Sequence, residues 1–425
     1  MSGKPSLSTD SYKGVRDFYP NEWARLSAAF GQVREILSSW GYEEYQASPL
    51  ERSELYESKG NEEIIRDQTY SFEDRGGRRV TLRPEMTPTL ARMVAGKRRE
   101  LSFPLRWFSI GNRFRYERPQ KGRLREFFQT DVDLIGLPEG EADLEVIQLA
   151  HSVFRSFGAT DRDFIIRVNS RALLSAACRA TGYTDVDGVR EYWQLLDRKA
   201  KMSPEEFALA RGARKDPLSA VEEATDPEVK AEKEKLLTVI ATLKSRGISN
   251  IVFEPEIVRG FDYYTGIVFE VQDTSPENPR ALLGGGRYDG LVSLFGGDPL
   301  PAIGFAFGDV GLMDFLKTHD LLPEATNVPH LYIGTPSPED IPVAQAYAAT
   351  LREATTFRTF VNLTEKSLGD QIKDAVKRGI PYFAAYGSEE EQRKSVRLKE
   401  LATGKEEEVA QDIIVQHILT KEHSS

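Results

Sequence analysis

GNRFRYERPQKGRLREFFQTDVDLI, residues 111–135, is the stretch on which the reading of this chain turns. Between Arg113 and Arg125 six basic side chains (Arg113, Arg115, Arg118, Lys121, Arg123, Arg125) stand with a single acid, Glu117, in a chain of net charge −10. This local reversal of sign points to a polyanion site, because guanidinium groups hold phosphate oxygens bidentately. Pro119 and Gly122 mark a loop between two alternating runs, which gives strand, basic loop, strand. On the returning strand a period of two puts Gln129, Asp131 and Asp133 on one face and Val132 and Leu134 on the other. A solvated hairpin at a sheet edge explains the alternation but not a row of acids and an amide beside an arginine loop.

The whole chain is the background to that stretch. Its 425 residues imply roughly two or three domains. Charged residues at 29% and hydrophobic ones at 40% are those of an ordinary globular protein. No apolar run approaches the ~20 residues that span a bilayer, and the opening MSGKPSLSTDSYKG lacks the apolar core of a secretory signal. The single cysteine, Cys178, excludes an internal disulfide and fits a reducing, cytoplasmic compartment. The five histidines are scattered without metal-ligand spacing, so no protein-held metal is expected. With a pI near 5.3, a nucleic-acid partner has to be met by local basic patches.

Taken in order, Trp23, Leu26, Phe30, Val33, Leu37 and Trp40 recur at helical spacing and Gly41 ends the helix, its seam facing a core. Tyr70, Phe72, Val80 and Leu82 flank Gly76-Gly77 as a hairpin. Thr87-Pro88 then starts a helix with the threonine as N-cap, and Glu85 just before it complements the helix dipole. Residues 172–248 are charged and helical, with a capping box at Ser203-Pro-Glu-Glu206 and a stripe of Leu236, Leu237, Ile240 and Leu243. Strands resume at 251, with Ile267, Phe269 and Val271 alternating after a cluster of Arg259, Asp262, Tyr263 and Tyr264. Gly284-Gly285-Gly286 allow close backbone approach to a ligand. Beyond LLPEATNVP, strands at LYIG, TFRTFVNL and PYFAAYG and helices at 342–352 and 367–378 give an α/β alternation without a nucleotide-binding motif. Between 331 and 425 there are 12 basic and 15 acidic residues, so recognition of RNA there must be local and base-directed.

Several of these segments resemble one family. FRYERPQKGRLREFFQ (114–129) is similar to motif 2 of class II aminoacyl-tRNA synthetases in the form carried by histidyl-tRNA synthetases, and RGFDYYTG (259–266) resembles a peptide specific to them. GVRDFYP (14–20), LRPEMT (82–87), LLGGGRYDGLV (282–292) and PAIGFAFGDVGL (301–312) extend the likeness from about residue 12 to 418. The resemblance implies an α/β architecture. A class II antiparallel-sheet catalytic domain (1–171 and 249–321) holds a helical insertion (172–248) and is followed by an α/β anticodon-binding domain (328–425).

It also implies roles for individual residues. Glu85, Thr87 and Gln129 would hold the ammonium of L-histidine, and Asp133 and Tyr264 its imidazole, with Tyr263 and Tyr288 completing the pocket. Arg115 and Arg259 would grip the α-phosphate of ATP as the catalytic pair. Glu117, Arg123 and Phe127 would bind ATP, Arg123 at the γ-phosphate and Phe127 stacked on adenine, with Mg²⁺ bridging the phosphates. Arg118 and Gln120 would contact the 5′ end of histidine tRNA. The first helix and YEEYQASPLE (42–51) match motif 1, which implies a homodimer.

The chain departs from the family at two places. Asp133 stands where glutamate is usual, and Val310 and Gly311 replace the acid and arginine that close motif 3, leaving Lys317 or Arg287 to substitute. The competing reading is the synthetase-like regulatory subunit of ATP phosphoribosyltransferase, a histidine sensor that lacks the C-terminal domain and erodes both signature peptides.

Overall fold

The structure is a computed structural model that describes residues 7–57, 68–120, 122–199, 202–259, 263–325, 327–353 and 357–422. Lys121 of the basic loop and Asp262 beside the tyrosine pair lie outside the described residues. The chain forms two compact units, Met1–Tyr19 with Arg25–Glu324, and Pro20–Ala24 with Ala325–Ser425.

Helix α1 (Pro20–Ser39) leads into β1 (Glu43–Glu44), β2 (Leu50–Arg52), the hairpin β3 (Tyr70–Glu73) and β4 (Arg79–Leu82), and α2 (Thr87–Lys97). The long hairpin β5 (Leu105–Phe114) and β6 (Glu126–Ile135) is followed by α3 (Glu141–Ser156) and β7 (Phe164–Ser170). Then come α4 (Arg171–Ala180), α5 (Val186–Arg198), α6 (Pro204–Arg211), α7 (Pro217–Glu223) and α8 (Pro227–Ser245). Strands β8 (Ile251–Phe253), β9 (Ile267–Asp273), β10 (Ala281–Arg287) and β11 (Ala302–Gly308) precede α9 (Asp309–Thr318).

Eight strands form one sheet in the order β1-β5-β6-β11-β10-β9-β7-β8, and β2-β4-β3 form a small second one. The six strands from β5 to β7 pair antiparallel, while β1 and β8 add parallel edges. Alternation sorts the large sheet into two faces. Val132, Leu134, Phe269, Phe305 and Phe307 enter the main core with Leu26, Phe30, Val33 and Leu37 of α1. The helical seam of α1 is therefore spent on its own chain, an area removal that drives packing at about 25 cal/mol per Å².

Helices α4–α8 occupy the stretch between β7 and β8, and Leu173, Tyr192, Leu236, Ile240 and Leu243 join the same core. Ser203 and Glu206 make the reciprocal capping box that their spacing predicts. The predicted stripe on α8 is narrower than expected, since Leu237 is 42% exposed while its neighbours are buried. The expected threonine cap of α2 is also corrected. Thr87 is the first helical residue, Met86 stands at the cap position without a side-chain bond, and the Thr87 hydroxyl is spent on Tyr263 instead.

The second unit runs β12 (Leu331–Gly334), α10 (Ile341–Arg352), β13 (Thr359–Val361), α11 (Leu368–Lys377), β14 (Tyr382–Ala385) and α12 (Ser388–Arg393), then β15 (Ser395–Glu400), β16 (Glu406–Ala410) and α13 (Ile414–Glu422). Its sheet order is β13-β12-β14-β15-β16, parallel over the first three strands and antiparallel beyond. Leu331, Ile333, Tyr347, Tyr386 and Val396 sit in its own core. The antiparallel pair β15–β16 was not expected from the sequence, because its exposed face is a ladder of Lys399, Glu406, Arg397 and Glu408 that masks Val396 and Leu398.

Candidate active site

The polar face of the large sheet holds a cavity of about 150 Å³. Its floor is β6, β10 and β11, and its walls come from the turn before α2 and the segment before β9. Gln129, Asp131 and Asp133 project from β6 at alternate positions, opposite Gly308, Ala306 and Gly304 of β11. Glycines make the room. A Cβ on Gly304 would meet the Asp133 carboxylate and come within 2.5 Å of the Val132 carbonyl. A Cβ on Gly286 would lie 2.7 Å from the Tyr264 ring.

Nine residues singled out in the sequence converge here: Glu85, Thr87, Arg115, Gln129, Asp133, Arg259, Tyr263, Tyr264 and Tyr288. Tyr263 lies 5.0 Å from Tyr264 and 5.8 Å from Tyr288 between ring centroids, which makes an aromatic wall with three hydroxyls. The Tyr288 hydroxyl donates to Asp133, and the Tyr263 hydroxyl to Glu85 at 3.3 Å. Burial dominates both carboxyls: Glu85 is pushed up to about 7, against the pull of Arg115, and Asp133 to about 8, with Asp131 adding to the rise. Buried acids poised near neutrality at the base of a cleft mark a functional site.

The cationic side has its own scaffold. Arg113 is wholly buried and donates to Asp131 at 2.5 Å, while Gln129 donates to the other Asp131 oxygen at 2.7 Å. Arg115 donates to the Pro84 carbonyl at 3.0 Å, its guanidinium 5.3 Å from the Phe127 ring. Arg259 has a positive φ of 58° and donates to Glu270 of β9 at 2.7 Å. Its carbonyl accepts from Arg171 at 2.6 Å, which fixes a backbone conformation that non-glycine residues seldom adopt.

The remaining predicted residues lie off this cavity's lining. Arg123 pairs with Glu117 at 3.3 Å on the hairpin loop, and Phe127 lies beside Gly308 at the start of β6. Arg118 and Gln120 are exposed at the loop tip, where Gln120 and Arg123 bridge. Asp131 and Gly304 line the cavity without having been assigned to it from sequence, Gly284 lines it as its close-approach reading implies, and Glu270 reaches it as the partner of Arg259. Asp131 shared the predicted face of β6, whereas Glu270 needed the β9–β10 register to reveal it. Neither suggested replacement for the motif 3 arginine is free to serve. Arg287 is buried and donates to Asp143 at 2.9 Å and Asp289 at 3.1 Å. Lys317 is in the last turn of α9, six residues or roughly 9 Å from Gly311.

An antiparallel sheet with a polar cavity on one face, half-buried arginines lining it and a basic strand–loop–strand beside it defines the class II aminoacyl-tRNA synthetase catalytic fold. The solved histidyl-tRNA synthetase of Nostoc sp. PCC 7120 superposes with a TM-score of 0.77 at 23% identity, covering 97% of this chain and 100% of that one. The family model described as "Histidyl-tRNA synthetase" matches residues 14–309, and "Anticodon binding domain" matches residues 331–421. The histidine--tRNA ligase of Leptospira biflexa is 39% identical over 412 residues, 93% of this chain and 94% of that protein. That of Thermococcus kodakarensis is 35% identical over 435 residues, covering 96% and 98%. The chain belongs to the histidyl-tRNA synthetase family.

Proposed function

We propose that this chain activates L-histidine with ATP and transfers it to histidine tRNA, the reaction of a histidine--tRNA ligase. The observation that carries the reading is the joining in one cavity of two kinds of recognition. Acids and tyrosines suited to an ammonium and an imidazole line it beside two part-buried arginines suited to a phosphate. The histidine carboxylate is ionised at neutral pH, so the first step needs no general base. It needs alignment and charge neutralisation. The carboxylate oxygen bonds to the α-phosphorus as the bond to the β-phosphate oxygen breaks, and pyrophosphate leaves. Arg115 and Arg259 neutralise the α-phosphate, Arg123 takes the γ-phosphate, Phe127 stacks on adenine and Glu117 orients the loop. Mg²⁺ enters with ATP as part of that substrate.

Glu85, Thr87 and Gln129 receive the ammonium. Asp133, held by Tyr288, accepts from the imidazole N–H, and Tyr264 serves the other ring nitrogen, since a neutral imidazole offers one donor and one acceptor. The shorter Asp133 fits this geometry because Tyr288 fills the space beyond it. Residues 1–171 and 249–321 act as the catalytic domain around the insertion at 172–248. Residues 328–425 act as the anticodon-binding domain, and Arg118 and Gln120 meet the 5′ end of the tRNA. A homodimer through the motif 1 region is part of the same proposal, supported by Leu50 and Phe72 at 46% and 48% exposure on the small sheet. Cytoplasmic placement belongs to it too. Among the described residues no helix is long and apolar enough to cross a membrane.

The test is histidine-dependent ATP–pyrophosphate exchange by the purified chain with Mg²⁺. Exchange specific to histidine is expected. Saturable histidine binding without exchange would move the assignment to the regulatory subunit, a reading that the present anticodon-domain match does not favour.

The pocket's acids also predict a proton signature. In the empty pocket Glu85 titrates at about 7 and Asp133 at about 8. A bound ammonium and a donating imidazole stabilise the ionised forms, so binding at pH 7 releases protons and histidine affinity rises from pH 6 to 8. The empty protein behaves in the opposite sense. Its raised carboxyls hold protons that the unfolded chain has already lost, so stability falls as pH rises from about 4 toward 8. Calorimetry at pH 7 in two buffers of different ionisation enthalpy measures the release directly, and equal heats in both would rule it out.

A further inference from the structure

A guanidinium from outside the basic hairpin loop lies against its tip. Arg280, the residue before β10, is exposed, and among the described residues it makes no hydrogen bond or ion pair. Its Cδ and Nη1 lie 3.7 Å from where a Cβ on Gly122 would stand, so the side chain runs from the start of β10 to the tip of the basic hairpin loop. Five other arginines here are held: Arg113 by Asp131, Arg115 by the Pro84 carbonyl, Arg123 by Glu117, Arg125 by the Glu117 carbonyl and Arg259 by Glu270. With Arg118, which among the described residues also makes no hydrogen bond or ion pair, Arg280 puts two uncommitted guanidinium groups at the loop tip, a positive potential that attracts a polyanion.

The second observation comes from the start of α9. The side chain that Gly311 lacks would aim at the backbone of Leu282, whose carbonyl lies 3.9 Å and Cα 4.0 Å from an added Cβ. Leu282 is two residues along the strand from Arg280. A Cβ on Gly308 would stand 3.8 Å from the Phe128 carbonyl and 3.9 Å from the Phe127 ring. The helix start thus presents bare backbone over the beginning of β10 and beside Phe127. That is the side from which the family resemblance implies a guanidinium, and the strand beneath it, β10, is the one that Arg280 precedes.

We propose that Arg280 supplies from β10 the nucleotide-binding guanidinium that α9 does not carry, its ligand being the polyphosphate of a nucleoside triphosphate. The inference rests on the adenylation reading above. ATP turns the side chain from the loop tip toward the Gly311 gap, where its fork pairs with phosphate oxygens.

The test is ATP–pyrophosphate exchange and calorimetric ATP binding by the full chain and three variants. Arg280→Ala is expected to raise the KM for ATP by about tenfold, the scale of one charge-assisted contact, with the KM for histidine unchanged. Arg280→Lys recovers part of the loss, because an ammonium keeps the charge but not the fork. Gly311→Arg placed in the Arg280→Ala background restores ATP affinity, since a Cβ at Gly311 makes only ordinary van der Waals contact with the Leu282 backbone and the position lies in a regular helix. A merely structural Arg280 could not be rescued from another element. An unchanged KM for ATP in Arg280→Ala, or equal rises for ATP and histidine, would overturn the assignment. If the wild type shows no exchange at all, the adenylation reading fails separately, and the calorimetric comparison still decides whether Arg280 binds the triphosphate.

Discussion

Arg259→Ala is expected to lower histidine-dependent ATP–pyrophosphate exchange by ~10²–10³-fold, the range for removing one preorganised electrostatic group from a reacting centre. The case for so large an effect is geometric. Arg259 is held by three independent constraints: a positive φ of 58°, the ion pair to Glu270 at 2.7 Å and the Arg171 contact to its carbonyl at 2.6 Å. A side chain fixed this way does not reorganise when charge moves onto the α-phosphate, and Arg115, anchored through its Nε to the Pro84 carbonyl, makes its own contact without replacing this one. The substitution leaves Glu270, 18% exposed at its side chain, without its cation, so stability falls as well. Arg259→Ala combined with Glu270→Gln separates the two effects. The amide removes the unpaired charge and recovers thermal stability, while exchange stays low. Recovery of exchange in the double variant would show that Arg259 matters only as a partner for Glu270, and wild-type turnover in the single variant would remove it from the chemistry.

The contrast between Arg259 and Glu270 also shows what the sequence could and could not reveal. Local periodicity was enough for β5–β6, because Gln129, Asp131 and Asp133 alternate with Val132 and Leu134 and the basic loop breaks at Pro119 and Gly122. It was enough for α1 from Leu26 to Leu37, whose buried seam follows the three–four spacing although Trp23 at its expected start is 40% exposed, and for the Ser203–Glu206 cap. Partners set by strand register were not legible. Glu270 becomes a site residue only because β9 places it opposite Gly284, and Asp309 meets Arg16 across 293 residues of chain. Thr87 shows a different limit. Its spacing fits a helix cap, but a tyrosine 176 positions away in sequence competes for the hydroxyl. Arg287 looked like a free cation in the sequence, yet the fold buries it against Asp143 and two carbonyls.

Gly284→Ala should disable the enzyme without unfolding it, and the neighbouring Gly285→Ala should do the reverse. Both glycines lie in the middle of β10, paired with β9 and β11, and neither has a positive φ, so alanine is not strained by backbone conformation at either place. What differs is what the new methyl meets. At Gly284 it would overlap the guanidinium of Arg259, with Nη1 at 2.5 Å. That is the far end of a flexible side chain, which can move aside at small cost to the sheet but then leaves the α-phosphate. At Gly285 the methyl would stand 2.5 Å from the Gly304 carbonyl and 2.6 Å from the Phe269 ring, groups fixed by the sheet itself. Overpacking of that kind costs about 1–3 kcal/mol. Exchange for Gly284→Ala is therefore expected to approach that of Arg259→Ala, with a melting temperature close to wild type. Gly285→Ala is expected to melt lower by several degrees, about 2–4 °C per kcal/mol in a domain this large. Thermal melts and exchange assays on the pair decide the matter. Wild-type exchange in Gly284→Ala would mean that the guanidinium does its work from somewhere other than over β10, and an unchanged melt in Gly285→Ala would mean that β10 and β11 can part to admit a methyl group.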